Sequence, residues 1–379
     1  MKIEKIMEMD ADDRRILSIL QDNPETSHSQ IAKTINKSQP AVGARILKLE
    51  RKKLLATQYG LDISKTKDII LATVSMYVKD APKLLKRVIH CPYVVNAFSM
   101  TGLSNVMIWL MGSNIEKIEE IIDVHFRAKP DIKNLHISII TESILPLVLP
   151  IDFRMEYHDK LECKNECIEM VYDIEEDDII EEEYVPASVG GELDKIFGID
   201  DDDKRIIMYL QSEPDITHTE IARRIGKSQP AIGARVVKLK KKGFLKMQKG
   251  VNFSNVNGLE LVRVAISTHD LDAVKEKLNS CNMVLASFRG TGDKSLVAFV
   301  AGPSVIEINN FLDNCFRRED VIDEMETSLV IKVMKDLILP YNFQVEFNEE
   351  SGCAGCRYSP AIAESDIQEV ISQYALARE

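Results

Sequence analysis

Four cysteines stand in two short knuckles, Cys163-Lys164-Asn165-Glu166-Cys167 and Cys353-Ala354-Gly355-Cys356. Two pairs of thiolates suit one tetrahedral, closed zinc site, which would add stability by tying the chain to the metal. An iron–sulfur cluster and a redox disulfide switch use the same residue type, because paired cysteines also tune thiol reactivity. The knuckles lie about 190 residues apart, so they can share one Zn²⁺ only if distant parts of the chain pair. His158, close to the first knuckle, is the only extra ligand candidate. Cys91, Cys281 and Cys315 fall in or beside expected helices and read as core residues. Paired carboxylates, a Ser/His/Asp arrangement and a phosphate-binding loop are all missing, so the sequence offers no catalytic set and reads as a non-enzyme.

A second chemistry is carried by Ser38-Gln39-Pro40-Ala41 and Ser228-Gln229-Pro230-Ala231, each opening an expected helix. Serine caps such a helix, and proline in its first turn loses no needed N–H. Residues in the first turns of a recognition helix read bases. Here they are Gln39, Pro40, Ala41, Gly43, Ala44, Arg45 and Lys48, then Gln229, Pro230, Ala231, Gly233, Ala234, Arg235 and Lys238. Glutamine can bond adenine through two hydrogen bonds, arginine can do the same to guanine, and alanine can touch a thymine methyl. Arg45 and Arg235 could instead hold phosphates. From Arg14 to Gln58 nine basic residues face three acidic ones, and from Lys204 to Lys249 twelve face three. Two basic helical modules are the electrostatic footprint of double-stranded DNA binding, although the whole chain carries a net charge of −12.

These segments recur because the chain repeats itself at an offset of 190 residues, from about Asp10 to Cys163. The offset also relates His28 to His218, Cys91 to Cys281, Thr101-Gly102 to Thr291-Gly292 and Phe153 to Phe343. Each copy begins with three helices. In copy one Ile16, Leu17 and Leu20 mark the first, Ile31, Ala32 and Ile35 the second, and Val42, Ile46 and Leu49 the third. Leu54 to Tyr59 reads as a hairpin after them, which completes a winged helix-turn-helix. The remainder alternates in the order β-α-β-β-α-β, a ferredoxin-like unit whose sheet has one open face needing a partner. Strands are predicted at Ile69 to Val78, Val94 to Met100, Val106 to Met111 and Leu135 to Ile144, with helices at Pro82 to His90 and Ile115 to Phe126. In copy two, strands are predicted near Leu261 to Ser267, Val284 to Phe288, Leu296 to Val300 and Ser328 to Val333.

The resulting architecture is α+β, with winged helices at 1–64 and 196–254 and ferredoxin-like units at 65–153 and 255–343. A cysteine-containing extension with an acidic linker occupies 154–195, and a second cysteine-containing extension occupies 344–379. The run from Tyr172 to Gly191 holds much of the negative charge and reads as a solvated linker. With 379 residues, 45% hydrophobic and 28% charged, the composition is that of a globular protein with several domains. Its longest apolar stretch, near Ile144 to Ile151, is far short of a membrane span, and the acidic N-terminus lacks a leader core, so a cytoplasmic protein is expected. Seven cysteines argue against a secreted disulfide framework.

The D-x-x-D-R-x-I-L opening and S-x-x-x-V-x-x-R-[IV]-x-x-L helix between Met9 and Ser64 resemble the leucine-responsive regulator/AsnC family of prokaryotic transcription regulators. The resemblance extends to both copies. It implies a winged helix-turn-helix followed by an effector-binding domain, and protomers that assemble as dimers or higher even oligomers. This chain then looks like two protomers fused into an intramolecular pseudo-dimer, able to form homo-oligomers, with the two open sheet faces packed together. The family's T-G-x-x-D loop becomes Thr101-Gly102-Leu103-Ser104-Asn105 and Thr291-Gly292-Asp293-Lys294-Ser295, so the acidic effector ligand is replaced and the effector site is left unassigned. Siroheme decarboxylases share the two-part fold and form the alternative reading. The Lys/Glu/Ile-rich makeup suggests an archaeal source.

Overall fold

A computed structural model describes residues 8–65, 69–153, 155 and 198–341. Copy one starts with helices α1 (Ala11–Asp22), α2 (His28–Ile35) and α3 (Gln39–Arg51). Asp10 caps α1 by accepting from the amide of Asp13, while the Asp13 carboxylate accepts from the amide of Asp10 in return. Ser27 caps α2 in the same reciprocal manner with Gln30, and Asn36 ends that helix in the left-handed conformation at φ 55°. Ser38 caps α3 with Pro40 in the first turn, as expected. The apolar stripes of the three helices, including Ile16, Leu17, Ile31, Val42, Ile46 and Leu49, meet in a common core. Copy two repeats this with α6 (Asp201–Ser212), α7 (His218–Ile225) and α8 (Gln229–Lys242), α4 and α5 belonging to the sheet unit described below.

The hairpin expected at Leu54 to Tyr59 is not formed. A single strand, β1 (Ala56–Asp62), runs through that segment and pairs antiparallel with its counterpart β7 (Lys246–Asn252) in the other copy, from Ala56 opposite Gly250 to Gly60 opposite Lys246. On the outer edges, β6 (Val148–Leu149) pairs with β1 and β12 (Ile338–Leu339) with β7, giving one four-stranded sheet beneath both helix-turn-helix units. Gly60 and Gly250 permit this: a Cβ on either would lie 2.2 Å from the carbonyl oxygen of Leu149 or Leu339. The exchange continues in the helices, since α1 packs on β7 and α6 on β1. Lys246 pairs with the buried Asp62 at 2.9 Å, and Lys240 with Glu25.

The ferredoxin-like unit of copy one contains β2 (Ile70–Val78), α4 (Ala81–Val88), β3 (Val94–Met100), β4 (Val106–Gly112), α5 (Ile115–Ile122) and β5 (Ile132–Ser143). Copy two contains β8 (Glu260–Thr268), α9 (Leu271–Ser280), β9 (Val284–Gly290), β10 (Leu296–Gly302), α10 (Val305–Leu312) and β11 (Ile322–Val333). Helices α5 and α10 each run into a π-helical turn, Asp123–Arg127 and Asp313–Arg317, where an unbroken α-helix was expected in copy one. The last strands also start earlier than predicted, at Ile132 rather than Leu135 and at Ile322 rather than Ser328.

Both sheets join into one closed barrel in the order β10-β8-β11-β3-β4-β2-β5-β9. Strand β11 pairs with β3, and β5 with β9, so each seam joins the two copies. Thr101 exchanges two hydrogen bonds of 2.9 Å with Leu329, one through its amide and one through its hydroxyl, and Thr291 repeats this with Ile139. Inside, Phe98 and Trp109 of copy one meet Phe288 and Phe299 of copy two, with Trp109 edge-on to both at 5.6 and 5.4 Å. The open faces are therefore each other's partner, and one hydrophobic core runs across both copies, with a second, smaller core beneath the helices of copy two.

Candidate DNA-binding surface

On α3, Gln39, Pro40, Ala41, Ala44 and Lys48 are exposed, and on α8 so are Gln229, Pro230, Ala231, Ala234 and Lys238. These ten candidates lie together on the solvent side of their helices, away from the stripes of Val42, Ile46 and Leu49 or Ile232, Val236 and Leu239. Gly43 and Gly233 are half-buried. Each faces the preceding helix, where a Cβ would stand 3.6 Å from His28 Nδ1 or 3.8 Å from His218 Nδ1.

Arg45 and Arg235 are held elsewhere. Arg45 donates to Asp10 at 2.7 Å and to Asp13 at 2.6 Å, with Asp12 at 3.5 Å. Arg235 meets Asp200, Asp203 and Asp202 at 2.7, 2.7 and 3.4 Å. Asp13 and Asp203 are fully buried, so each guanidinium neutralises a carboxylate that has left water. Burial alone would raise the Asp10 carboxyl, but the Asp13 amide and the Arg45 guanidinium outweigh it and hold the group below its ordinary value. Asp200 is lowered in the same way by Arg235 and the Asp203 amide. The expected choice between base and phosphate contact thus gains a third outcome: both arginines clamp the recognition helix to the first helix. Lys48 at 3.1 Å and Lys238 at 3.6 Å join the clamp but keep nearly half of their side-chain surface.

Sequence reasoning missed Leu47 and Val237. They are large apolar side chains at the centre of this polar surface, 47% and 52% exposed. Their signal was available: position 47 falls outside the Val42/Ile46/Leu49 stripe, so an apolar residue there has no core to enter. The two surfaces are consequently not identical, because Leu47 becomes Val237 and the exposed Arg51 becomes Lys241.

The effector-type loop of copy one is tied to the end of β2. Asn105, in place of the acidic residue, accepts from the amide of Val78 at 2.8 Å and donates to its carbonyl at 2.9 Å. Gly102 and Gly292 turn at φ 107° and 108°. Cys163, Cys167, Cys353 and Cys356 lie outside the described residues, as does His158. Among the described residues no group of three or more His, Cys, Asp or Glu could hold a metal ion. No described helix is long and apolar enough to cross a membrane.

The sequence matches the AsnC-type helix-turn-helix domain at residues 9–50 and 199–240, and the Lrp/AsnC ligand binding domain at 70–147 and 261–338. Among similar proteins, HTH-type transcriptional regulator FL11 of Pyrococcus furiosus is 28% identical over 141 residues, covering 36% of this chain and 93% of that regulator. HTH-type transcriptional regulator LysM of Saccharolobus solfataricus is 29% identical over 118 residues, covering 30% of this chain and 82% of that regulator. Each match covers about one third of the chain, close to the length of one winged helix with its ferredoxin-like unit. The siroheme decarboxylase NirDL shares the fold of nearly the whole chain, with a TM-score of 0.50, 15% identity, and coverage of 90% of this chain and 96% of that one.

Proposed function

Because the chain belongs to the Lrp/AsnC family of transcription regulators and carries both family domains twice, we propose that it reads a pseudo-palindromic DNA site with α3 and α8 together. The observation that carries this reading is the identical exposed Gln-Pro-Ala opening of two recognition helices, set on helix-turn-helix units joined through β1 and β7. Phosphate neutralisation by the surrounding lysines and arginines supplies affinity, and the first-turn residues supply base preference. Leu47 and Val237 suit contact with a thymine methyl. A cytoplasmic location and further association of the pseudo-dimer go with this function.

Selection of bound sequences from a random DNA pool tests it. The expected product is an inverted repeat with half-sites about 10 bp apart, or a multiple of that. A direct repeat or a single half-site overturns the paired reading. Replacing Gln39 and Gln229 by alanine should relax base preference, at roughly 1–3 kcal/mol per lost contact. Replacing Lys48 and Lys238 should weaken all sequences alike and flatten the salt dependence.

The whole-length likeness to a siroheme decarboxylase favours a second reading, an enzyme of that type on the same fold. The exposed, basic recognition helices argue for the regulator. Titration with an iron tetrapyrrole separates the two: a regulator leaves the pigment's absorption unchanged, whereas the enzyme binds it and shifts the bands.

The cysteines extend the regulatory reading to one structural Zn²⁺ held by Cys163, Cys167, Cys353 and Cys356. Two ligands per knuckle make half a site, so metal analysis should find about one equivalent per chain, abolished equally by Cys163→Ser and Cys353→Ser. Half the metal remaining in each variant would mean separate sites. A brown protein would mean an iron–sulfur cluster.

A further inference from the structure

The two ferredoxin-like units agree in fold and disagree in surface charge. Across 79–87 and 128–136, which take in the end of β2, most of α4 and the turn into β5, copy one carries six basic residues and two acidic ones. The equivalent stretches of copy two, 269–277 and 318–326, carry three basic residues and eight acidic ones. The exchange runs position by position. Lys86 becomes Glu276, Lys129 becomes Glu319 and Lys133 becomes Asp323, while Pro82 and Pro130 become Asp272 and Asp320.

In each copy the two stretches lie side by side. The Lys79 amide donates to the Asp131 carbonyl at 3.3 Å, and Arg87 donates to the His125 carbonyl at 3.4 Å. In copy two Lys277 pairs with Glu319, and His269 Nδ1 stands 2.7 Å from an Asp323 carboxylate oxygen. Lys79, Lys83, Lys86 and Lys133 are exposed, and so are Asp272, Glu276, Asp320 and Asp323. Among the described residues the four lysines form no ion pair, and neither do Asp272, Glu276 and Asp320. The lysines that could soften the acidic surface are already engaged, Lys275 by Glu142 at 2.7 Å and Lys277 by Glu319.

Around the closed barrel β2 stands four strands from β8, and β5 four strands from β11. The basic and acidic surfaces therefore lie on opposite sides, and one chain cannot bring its own two together. Neither surface can meet its own kind in a second chain, because like charges would be opposed. The remaining complementary contact joins unlike surfaces of two chains.

We propose that a second copy of this chain docks its acidic copy-two surface on the basic copy-one surface. Such a contact is heterologous. It leaves one basic and one acidic surface free at the ends, so addition continues until a ring closes or a filament grows. Identical protomers would present the same charge at both places, whereas a duplicated chain can carry opposite ones. The proposal gives the further association of the pseudo-dimer a surface and a direction, rests on that association, and uses none of the residues assigned to DNA. A single exposed ion pair contributes little, so the contact depends on the whole set and weakens as salt screens it.

Sedimentation and light scattering of the full-length protein, over a range of concentrations at low and high sodium chloride, test it. Species of more than two chains are expected at low salt, reverting to single chains at high salt. Two variants reverse one surface each: Lys79, Lys83, Lys86 and Lys133 all to Glu, and Asp272, Glu276, Asp320 and Asp323 all to Lys. Each alone should stay single at concentrations roughly tenfold above those at which the parent assembles. Mixed in equal amounts they should assemble again, since one now has two acidic surfaces and the other two basic ones. Circular dichroism checks that both fold, and the milder replacement of the same four lysines by Gln, expected to weaken assembly, carries the test if a reversed chain does not. Single chains throughout, assembly that high salt and both variants leave intact, or folded variants that do not assemble when mixed would each overturn the proposal. Single chains whose lysine variant loses affinity for DNA of any sequence would assign the basic surface to nucleic acid instead. Sequence selection by α3 and α8 is measured separately, so failure here leaves the DNA reading standing.

Discussion

Replacing Arg45 and Arg235 by alanine should destabilise the chain by about 3 kcal/mol at each site and weaken binding to every DNA sequence without changing which is preferred. The reason is the position of Asp13 and Asp203. Both carboxylates are fully buried beneath the recognition helix, and each is neutralised mainly by its arginine. Removing the arginine leaves a buried charge with only Lys48 or Lys238 nearby, and the helix loses its lateral support against α1 or α6. Chemical denaturation followed by circular dichroism gives the stability, and binding to a panel of single-base variants gives the preference. A changed preference would return both arginines to base reading. The clamp also has a pH signature. Because Asp10 and Asp200 titrate below their ordinary value in the folded chain, their contribution is present above the usual carboxylate range near 4 and fades as pH falls through the folded-state value.

Trp109→Ala should cost about 3–5 kcal/mol, the range for deleting a fully buried large aromatic side chain. Its ring touches Phe98 of its own copy and Phe288 and Phe299 of the other, so the cavity opens between the copies rather than within one. Loss of the contact should therefore lower the stability of both ferredoxin-like units together. Phe311→Ala, in the satellite core whose buried members all belong to copy two, provides the comparison. Hydrogen exchange should show faster opening of β4 and β10 together in the tryptophan variant. Protection that falls in copy one only would mean that the barrel is less cooperative than the core shared by the two copies implies.

Most of the architecture was legible because the repeat keeps its register. The constant 190-residue offset aligned every helix and strand of one copy with the other, and the apolar periodicities agreed twice over. The wing was misread for a physical reason. Ala56 to Asp62 has strand character, but its partner is Lys246 to Asn252, and local sequence cannot reveal a partner 190 residues away. The early starts of β5 and β11 were hidden by polar positions, such as Lys133, Asn134 and His136, on strands that remain half-exposed. At the DNA-binding surface the exposed glutamines, prolines and alanines followed from helical phase alone. The binding of Arg45 to Asp10 and Asp13 did not, since a contact across more than thirty residues leaves no periodic trace. Its recurrence between Arg235 and Asp200 and Asp203 was the available clue.

The strand pairing between β1 and β7 has a consequence for how such a molecule meets dilution. In a regulator assembled from two separate chains, that sheet and the barrel seams would dissolve as concentration falls, and the free halves would each hold one reading head. Here the partners are tethered, so the second head is present at a fixed effective concentration however scarce the protein becomes. A cell could keep only a few such molecules and still have every one assembled. Tethering also frees the halves from sharing one gene segment. A substitution in a two-chain dimer appears in both helix-turn-helix units, whereas Leu47 and Val237, or Arg51 and Lys241, can be altered one helix at a time.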